Sequence, residues 1–328
     1  MAPRAVRIAV IGAGLAGMRC AQLLNAVGFA TFVFEKSRGA GGRLATRRAD
    51  HGMRFDHGAQ YLSARSDAFS SFLNGQRAAG VADIWNPRAY GPNAASMSRS
   101  PIVGAPHMNS VVKSISKGVS LKTDCRIAAI EQHENRWRLV SEAGERFEDF
   151  EVVIVATPAP QAEKLVTSWP DLAARAGAVK MTPCWTVMAG FENSLQLSFD
   201  ALRQEDEALG WAARNSSKPA RSSEPECWVM QASAKWSQDH LERDKNFVID
   251  ALLAMFAEAT GKQLPEPSHA DAHRWRYSIA SNPVGESFLK LSGNGLYVGG
   301  DWLLGARAED AFLSGSAVAE DIISNYRT

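Results

Sequence analysis

The chain has 328 residues, 45% of them apolar and 22% charged, and a formal net charge of +1. That length supports one large core or two interleaved domains, and the ordinary composition marks a globular chain rather than a disordered or fibrous one. Near-neutral charge without any run of like charges gives no general attraction for nucleic acid or an anionic membrane. Cys20, Cys125, Cys184 and Cys227 are widely spaced with no C-x-x-C pair, which argues against a disulfide framework and a zinc-thiolate site. A reducing, cytoplasmic setting is the expectation. The short lead at 1–4 has no signal-peptide pattern, and no apolar run approaches the roughly 20 residues that span a bilayer.

In chain order, the β-branched run 6–11 reads as a buried parallel strand. A glycine turn at 12–17 follows, then helical spacing over 18–27 with Cys20, Leu23, Leu24 and Val27 on one face, closed by Gly28. Residues 31–34 form a second strand ending at Glu35, so the chain opens on a complete βαβ unit. Residues 36–60 read mostly as loop, 64–80 as helix, and the proline-rich 86–106 as loop or excursion. A helix at 108–116 precedes strands at 119–123, 126–132, 136–141 and 145–148, and a buried strand at 152–156. Strands at 184–191 and 226–233 suggest a second sheet, with 212–225 an exposed polar hairpin or loop. An amphipathic helix at 246–260, strands at 273–278 and 295–299, and a closing helix at 309–326 complete the reading.

Gly12-x-Gly14-x-x-Gly17 is a dinucleotide fingerprint. The first glycine permits a tight turn, the second admits a pyrophosphate to the backbone, and the third lets helix and strand pack closely. The N–H groups of residues 12–17 (Gly12, Ala13, Gly14, Leu15, Ala16 and Gly17) and the helix dipole favour phosphate. Glu35, at the end of the second strand with Lys36 beside it, is placed to accept hydrogen bonds from ribose hydroxyls. The turn alone does not distinguish NAD from FAD.

The next segments do. Arg38-Gly39-Ala40-Gly41-Gly42-Arg43, then Phe55-Asp56-His57-Gly58-Ala59-Gln60-Tyr61, Cys125-Arg126-Ile127, Val155-Ala156-Thr157-Pro158 and Val298-Gly299-Gly300-Asp301 occur in that order. With Glu309-Asp310-Ala311 and Ser314-Gly315 in the closing helix, this series resembles the FAD-dependent amine oxidase superfamily. Within it, the compact length, the 55–61 segment, the run 273–277 and the Gly-Gly-Asp-Trp near the end are similar to the renalases. The resemblance implies a Rossmann-like FAD-binding domain from 1–70, 100–160 and 270–328, and a mixed-sheet α+β substrate domain from 71–99 and 161–269. It implies non-covalent FAD, since the last cysteine, Cys227, precedes the flavin-capping segment. Gly42 and Arg43 would wrap the pyrophosphate and flavin side. His57, Gly58, Ala59 and Gln60 would lie near the flavin ring, Ile127 would hold adenine through its backbone, and Thr157 would sit at a flavin-binding strand end. Asp301 would meet the ribityl–phosphate linkage, and backbone N–H groups near Asp310 and Ala311 the flavin N1/O2 edge.

The implied activity is oxidation of isomeric (2- or 6-) dihydro-NAD(P) to NAD(P)+, with hydride passing to flavin N5 and O2 reoxidising the flavin to hydrogen peroxide. Such a donor becomes aromatic without losing a proton to a base, so the protein's work is positioning. No Ser-His-Asp set, paired carboxylates or obvious general base is legible, so no catalytic side chain is nominated. Gln60, Tyr61, Thr186, Trp228 and Trp302 are the candidate substrate contacts, Thr186 and Trp228 as residues of the middle sheet facing the flavin. Arg47 and Arg48 read as solvated loop charges, and His269 with His273, spaced i, i+4, lacks the further ligands zinc requires. The expected partners are a small dinucleotide and O2, not nucleic acid or membrane; oligomeric state is left open. Two other readings stand: an amine or polyamine oxidase, for which Lys180 and Lys235 are the candidate lysines, and a flavin-free carrier protein of the same fold.

Overall fold

The opening β-branched run forms strand Arg7–Ile11, buried at four of its five positions. The computed structural model describes residues 6–97, 100–293 and 295–326, so the lead at 1–4 lies outside the described residues. Two compact units emerge, one from residues 1–42, 112–181 and 279–328, the other from 43–111 and 182–278. These boundaries differ from those expected. Residues 43–70, 100–111 and 270–278 pack with the second unit, and 161–181 with the first.

In the first unit, six strands lie in the order Leu289–Leu291, Leu296–Val298, Val152–Val155, Arg7–Ile11, Ala30–Phe34, Ser120–Lys122. All neighbours are parallel except the antiparallel pair 289–291 and 296–298. Burial on both faces explains the uninterrupted apolar runs: 152–155 and 296–298 are buried at every position. The register pairs Ile11 with Phe34 and with Val155, and Val155 with Val298. Gly12, Glu35, Ala156 and Gly299 therefore leave the sheet along one edge, at the carboxyl ends of the strands where doubly wound folds take their ligands. A three-stranded antiparallel sheet of Ile127–His133, Arg136–Ser141 and Arg146–Phe150 adds Trp137, Leu139 and Phe150 to the same core.

Helix Leu15–Ala26 packs against the closing helix Ala308–Tyr326, most closely where Gly315 meets Ala16. A Cβ on Gly315 would stand 2.2 Å from the Ala16 carbonyl oxygen, so that crossing requires glycine. Arg19 braces it, its Nε donating to Ser316 Oγ at 3.0 Å and its guanidinium lying 4.5 Å over the Phe312 ring.

The second unit is built on a largely antiparallel sheet ordered His269–Ala280, Met181–Phe191, Glu226–Ala232, Leu209–Arg214, Ala201–Arg203, Ala89–Tyr90. Period-two alternation separates its faces. Trp185, Val187, Trp228 and Met230 point to one side, where Val248, Leu252 and Phe256 of helix Lys245–Thr260 cover them. Each of those fully buried side chains contributes about 1.5–3 kcal/mol. Asp244 starts that helix by accepting from the Phe247 N–H at 3.0 Å, and Gly261 ends it at φ +65°. Met188, Cys227 and Val229 point to the other side, onto Met53 and Phe55.

One expectation is corrected here. Residues 212–214 belong to strand Leu209–Arg214, and the loop after it is only partly exposed: Asn215 and Lys218 are buried, while Ala220, Ser222, Ser223 and Glu224 are exposed. His269 and His273 stand on one strand, so spacing of four carries them apart along it. Among the described residues no helix is long and apolar enough to cross a membrane.

Candidate functional site

The glycine turn has the geometry its sequence calls for. Gly12 has φ +107°, and a Cβ there would meet the Ala156 carbonyl oxygen at 2.6 Å. A Cβ on Gly17 would stand 2.1 Å from the Gly12 carbonyl oxygen. Gly14 differs: a Cβ there would meet nothing within 4 Å. It is the N-cap of helix Leu15–Ala26, with no side-chain cap and no acidic residue in the first turn. An uncapped helix start facing open space is a ready anion cradle. Leu15 and Ala16 bury their side chains, so the main chain is what they offer, whereas the N–H and carbonyl of the buried Ala13 are both engaged within the chain.

Glu35 is 7% exposed, and both its oxygens are anchored. Oε2 accepts from the Ala13 N–H and Oε1 from the Ser37 N–H, each at 2.8 Å. A carboxylate has about four acceptor positions, so this fixed group retains capacity for ribose hydroxyls. Lys36 is exposed. The Gly-Gly segment folds onto the turn. Gly41 N–H donates to the Ala13 carbonyl at 3.0 Å, and a Cβ on Gly42 would be 3.0 Å from Gly14 Cα.

At the neighbouring strand ends, Thr157 Oγ1 is buried without a hydrogen-bond partner, while its carbonyl accepts from Trp302 Nε1 at 3.0 Å. Gly300 N–H donates to Ser314 Oγ at 2.9 Å and leads into the buried Asp301. Ile127 begins its strand 6% exposed. The closing helix departs from expectation. The N–H groups of Asp310 and Ala311 donate to the Arg307 carbonyl at 3.1 and 3.3 Å, and Asp310 Oδ2 accepts from the Arg307 N–H at 2.9 Å. Those two donors are engaged within the first turn, which leaves the dipole of the helix rather than its 310 and 311 amides as the feature offered to a ligand.

The second unit holds the segment 43–61. Arg43 Nη1 donates to the Ser278 carbonyl at 2.8 Å, and the Arg43 carbonyl accepts from Ala59 N–H at 2.8 Å. Gly58 is required there, since a Cβ would lie 2.0 Å from the Arg43 oxygen. Gln60 is fixed at both ends of its amide: Nε2 donates to the Asp56 carbonyl at 2.6 Å and the Gly58 carbonyl at 3.0 Å, and Oε1 accepts from Lys218 Nζ at 3.4 Å. Tyr61 lies 5.9 Å, ring to ring, from Trp211.

Beneath this segment is a buried ionic group that the sequence reading missed. Asp56 Oδ2 accepts from Arg221 Nη2 at 2.6 Å and Lys218 Nζ at 3.4 Å, and Oδ1 from Thr46 Oγ1 at 2.6 Å and Met108 N–H at 3.1 Å. The side chains of Asp56 and Lys218 are wholly inaccessible. Burial would raise the Asp56 carboxyl, but Lys218, Arg221 and the Thr46 hydroxyl outweigh it and hold the group well below the usual carboxylate range. Burial pushes the Lys218 ammonium down to about 8, with Asp56 opposing. Lys218-x-x-Arg221 sits in a Ser/Pro-rich stretch, so its pattern is that of a solvated loop.

The sheet places the other nominated residues unequally. Thr186 is fully buried on the Met188 face, and its cross-strand partner is Gln231, whose Nε2 donates to the Gly58 carbonyl at 2.8 Å. Trp228 is on the opposite face, packed on Phe199 and Phe256 with its Nε1 donating to Glu226 Oε1 at 2.7 Å. Its nomination is therefore corrected: Gln231, three residues on, shares the face of Thr186. Counting alternation from Thr186 through the pairing would have found it. Trp302 is a core residue of the first unit, fully buried.

The family model described as flavin containing amine oxidoreductase matches residues 81–323, and that of an NAD(P)-binding Rossmann-like domain matches residues 10–75. Renalase of Mus musculus is 24% identical over 314 residues, covering 85% of this chain and 87% of that protein. A putative protoporphyrinogen oxidase from Exiguobacterium sp. 255-15 shares the fold at a TM-score of 0.76 and 12% identity, over 97% of this chain and 99% of the other. Wild-type putrescine oxidase bound to putrescine does so at 0.73 and 13%, over 98% of this chain and 100% of the other. With its amine oxidoreductase match spanning most of its length, and its renalase-like sequence laid on a Rossmann-like frame, the chain belongs to the flavin containing amine oxidoreductase family.

Proposed function

We propose that this protein is an FAD-dependent oxidase that returns 2- or 6-dihydro-NAD(P) to NAD(P)+, with O2 as the final acceptor and hydrogen peroxide as product. Bound FAD would supply the hydride acceptor at its N5. The observation that carries the cofactor is the open, uncapped helix start at Gly14 beside the anchored Glu35 carboxylate. The turn at 12–17 receives the pyrophosphate and Glu35 the adenosine ribose. Ile127 meets adenine, and Thr157 and Asp301 serve the flavin end. Cys184 and Cys227, their thiols pushed up to about 11 by burial, do not present a thiolate for attachment, which supports non-covalent FAD. Similarity to renalase along most of the chain supports the dihydronicotinamide substrate. The chemistry asks only for orientation, and rigid, neutral groups such as the fully bonded Gln60 amide provide that.

A second reading, oxidation of a small amine, draws on one specific observation. Lys218, not Lys180 or Lys235, is the buried lysine of the second unit, and it bonds Gln60. Against it stands the positive surplus of Lys218 and Arg221 over Asp56, which disfavours a cationic substrate nearby. Anaerobic mixing of the yellow holoprotein with 2- or 6-dihydro-NAD, with NADH and with putrescine decides. Bleaching by a 2- or 6-dihydro isomer supports the proposal, and bleaching by putrescine alone overturns it. Release of FAD by acid precipitation checks the mode of attachment.

A further inference from the structure

The second unit has a cleft of about 460 Å³ at the edge of its sheet, where strand His269–Ala280 meets the link at 242–245 that opens helix Lys245–Thr260. That volume is in the range of small-molecule sites. Its floor is apolar, formed by the buried Trp185 and Ala272. Its rim is charged, and the charges do not balance.

Each carboxylate there is already committed. Glu242 accepts from Arg274 Nη1 at Oε2, 2.7 Å, and from Arg276 Nη1 at Oε1, 2.6 Å. Asp271 Oδ1 accepts from Lys245 Nζ at 2.7 Å, and Asp244 Oδ1 caps the helix at the Phe247 N–H. Two guanidiniums are left with no carboxylate partner among the described residues. Arg243 is exposed and lies 4.9 Å over the Phe247 ring. Arg47, a solvated loop charge by its sequence, is instead half-buried on strand Arg47–Arg48, and its Nη2 donates to Nδ1 of His273, a cleft residue, at 3.2 Å. A guanidinium can only donate, so that nitrogen accepts and the imidazole brings no charge to the contact. Five cations, Arg47, Arg243, Lys245, Arg274 and Arg276, thus face three carboxylates, a surplus of two. A half-buried guanidinium held by a neutral ring has lost part of its hydration without gaining an anion, and an anion at the cleft would restore the balance.

We propose that this cleft binds a phosphate dianion, free or as a monoester, through the guanidiniums of Arg47 and Arg243. The planar fork of arginine matches pairs of phosphate oxygens, and a phosphate monoester carries close to two negative charges at neutral pH, the size of the surplus. The shared chemistry has two sources: inorganic phosphate, and an organic monoester whose remaining atoms lie on the Trp185 floor. The proposal needs neither the flavin nor the dihydronicotinamide reading, because every residue it uses belongs to the second unit.

The test titrates the full-length protein, with FAD in excess, with inorganic phosphate and with AMP in a calorimeter, against KCl of matched ionic strength. Wild type, Arg47→Gln and Arg243→Gln are compared. The expected result is binding of at least one phosphate ligand by wild type with a Kd of about 1 mM or tighter. Each variant then binds about tenfold more weakly, the loss of one charge-assisted hydrogen bond. Equal affinity for the two ligands assigns the cleft to free phosphate, and a preference for AMP assigns it to a monoester. Neither variant deletes the partner of a carboxylate, so the ligand-free thermal midpoint stays at the wild-type value or rises. Failure of both ligands to bind wild type overturns the proposal. So does binding that both variants leave unchanged, because it belongs elsewhere on the protein, and so does a KCl response equal to that of phosphate, because that is screening alone. A ligand-free midpoint lowered in both variants also overturns it, since it would show that these cations are already compensated within the fold.

Discussion

Replacing Asp56 by Asn should be among the most damaging single changes in the second unit, because it removes one negative charge from between two buried cations. The carboxylate receives Arg221 at 2.6 Å and Lys218 at 3.4 Å. At an effective dielectric of about 20, those separations correspond to roughly 5–6 kcal/mol each before desolvation is subtracted. Breaking a buried pair by deleting one partner costs about 3–5 kcal/mol net, because the remaining charge stays buried. The expected result is a loss of that size in urea unfolding, with Lys218→Met in the Asp56→Asn background recovering part of it. A pH signature accompanies the loss. Lys218 titrates near 8 when folded against an ordinary 10.5, so between those values the unfolded chain holds a proton that the folded chain lacks, and stability rises with pH. Without Asp56 the folded value falls further, and the rise begins at lower pH. A loss under about 1 kcal/mol, or an unaltered pH slope, would refute the account of this cluster.

The glycines of the opening turn make a contrasting pair. Gly17→Ala drives a methyl to 2.1 Å from a carbonyl oxygen that cannot retreat, so it should lose at least about 1–3 kcal/mol and its flavin together. Gly14→Ala meets nothing in the chain, so its thermal midpoint should stay at the wild-type value while flavin retention drops; intact retention would mean that no phosphate approaches there. Glu35→Ala should weaken flavin binding and also free the Ala13 and Ser37 N–H groups, costing about 1–3 kcal/mol in the flavin-free protein, separable by melting with and without added FAD. Burial raises the thiols of Cys20 and Cys227, so a thiol reagent at pH 7.5 should react slowly with them until denaturant is added, and rapid labelling of either in the native protein would contradict their burial.

The dinucleotide turn of the first unit was legible because its chemistry is local. Gly12, Gly14, Gly17 and Glu35 are close in sequence, and Gly12 and Gly17 answer to backbone constraints their neighbours impose while Gly14 faces open space. The Asp56 cluster of the second unit was only partly legible. The segment 55–61 announced itself by motif, but the supports of Asp56 come from Thr46, Met108, Lys218 and Arg221, with no shared spacing to connect them. Trp228 was misplaced for a related reason. Strand alternation says that 228 and 231 face opposite ways, but only the pairing of Thr186 with Gln231 tells which of them shares its side.

Sequence alone determined where the chain turns, which runs are buried on both faces, and that the opening turn has the glycine spacing of a dinucleotide fingerprint, since these follow from backbone sterics and hydrophobic patterning over short stretches. Only the tertiary structure decided that Lys218 of a Ser/Pro-rich loop is interior and that Lys218 and Arg221 share one carboxylate. Those outcomes depend on what desolvates a charge or supplies a hydrogen-bond partner, and the groups responsible arrive from distant parts of the chain.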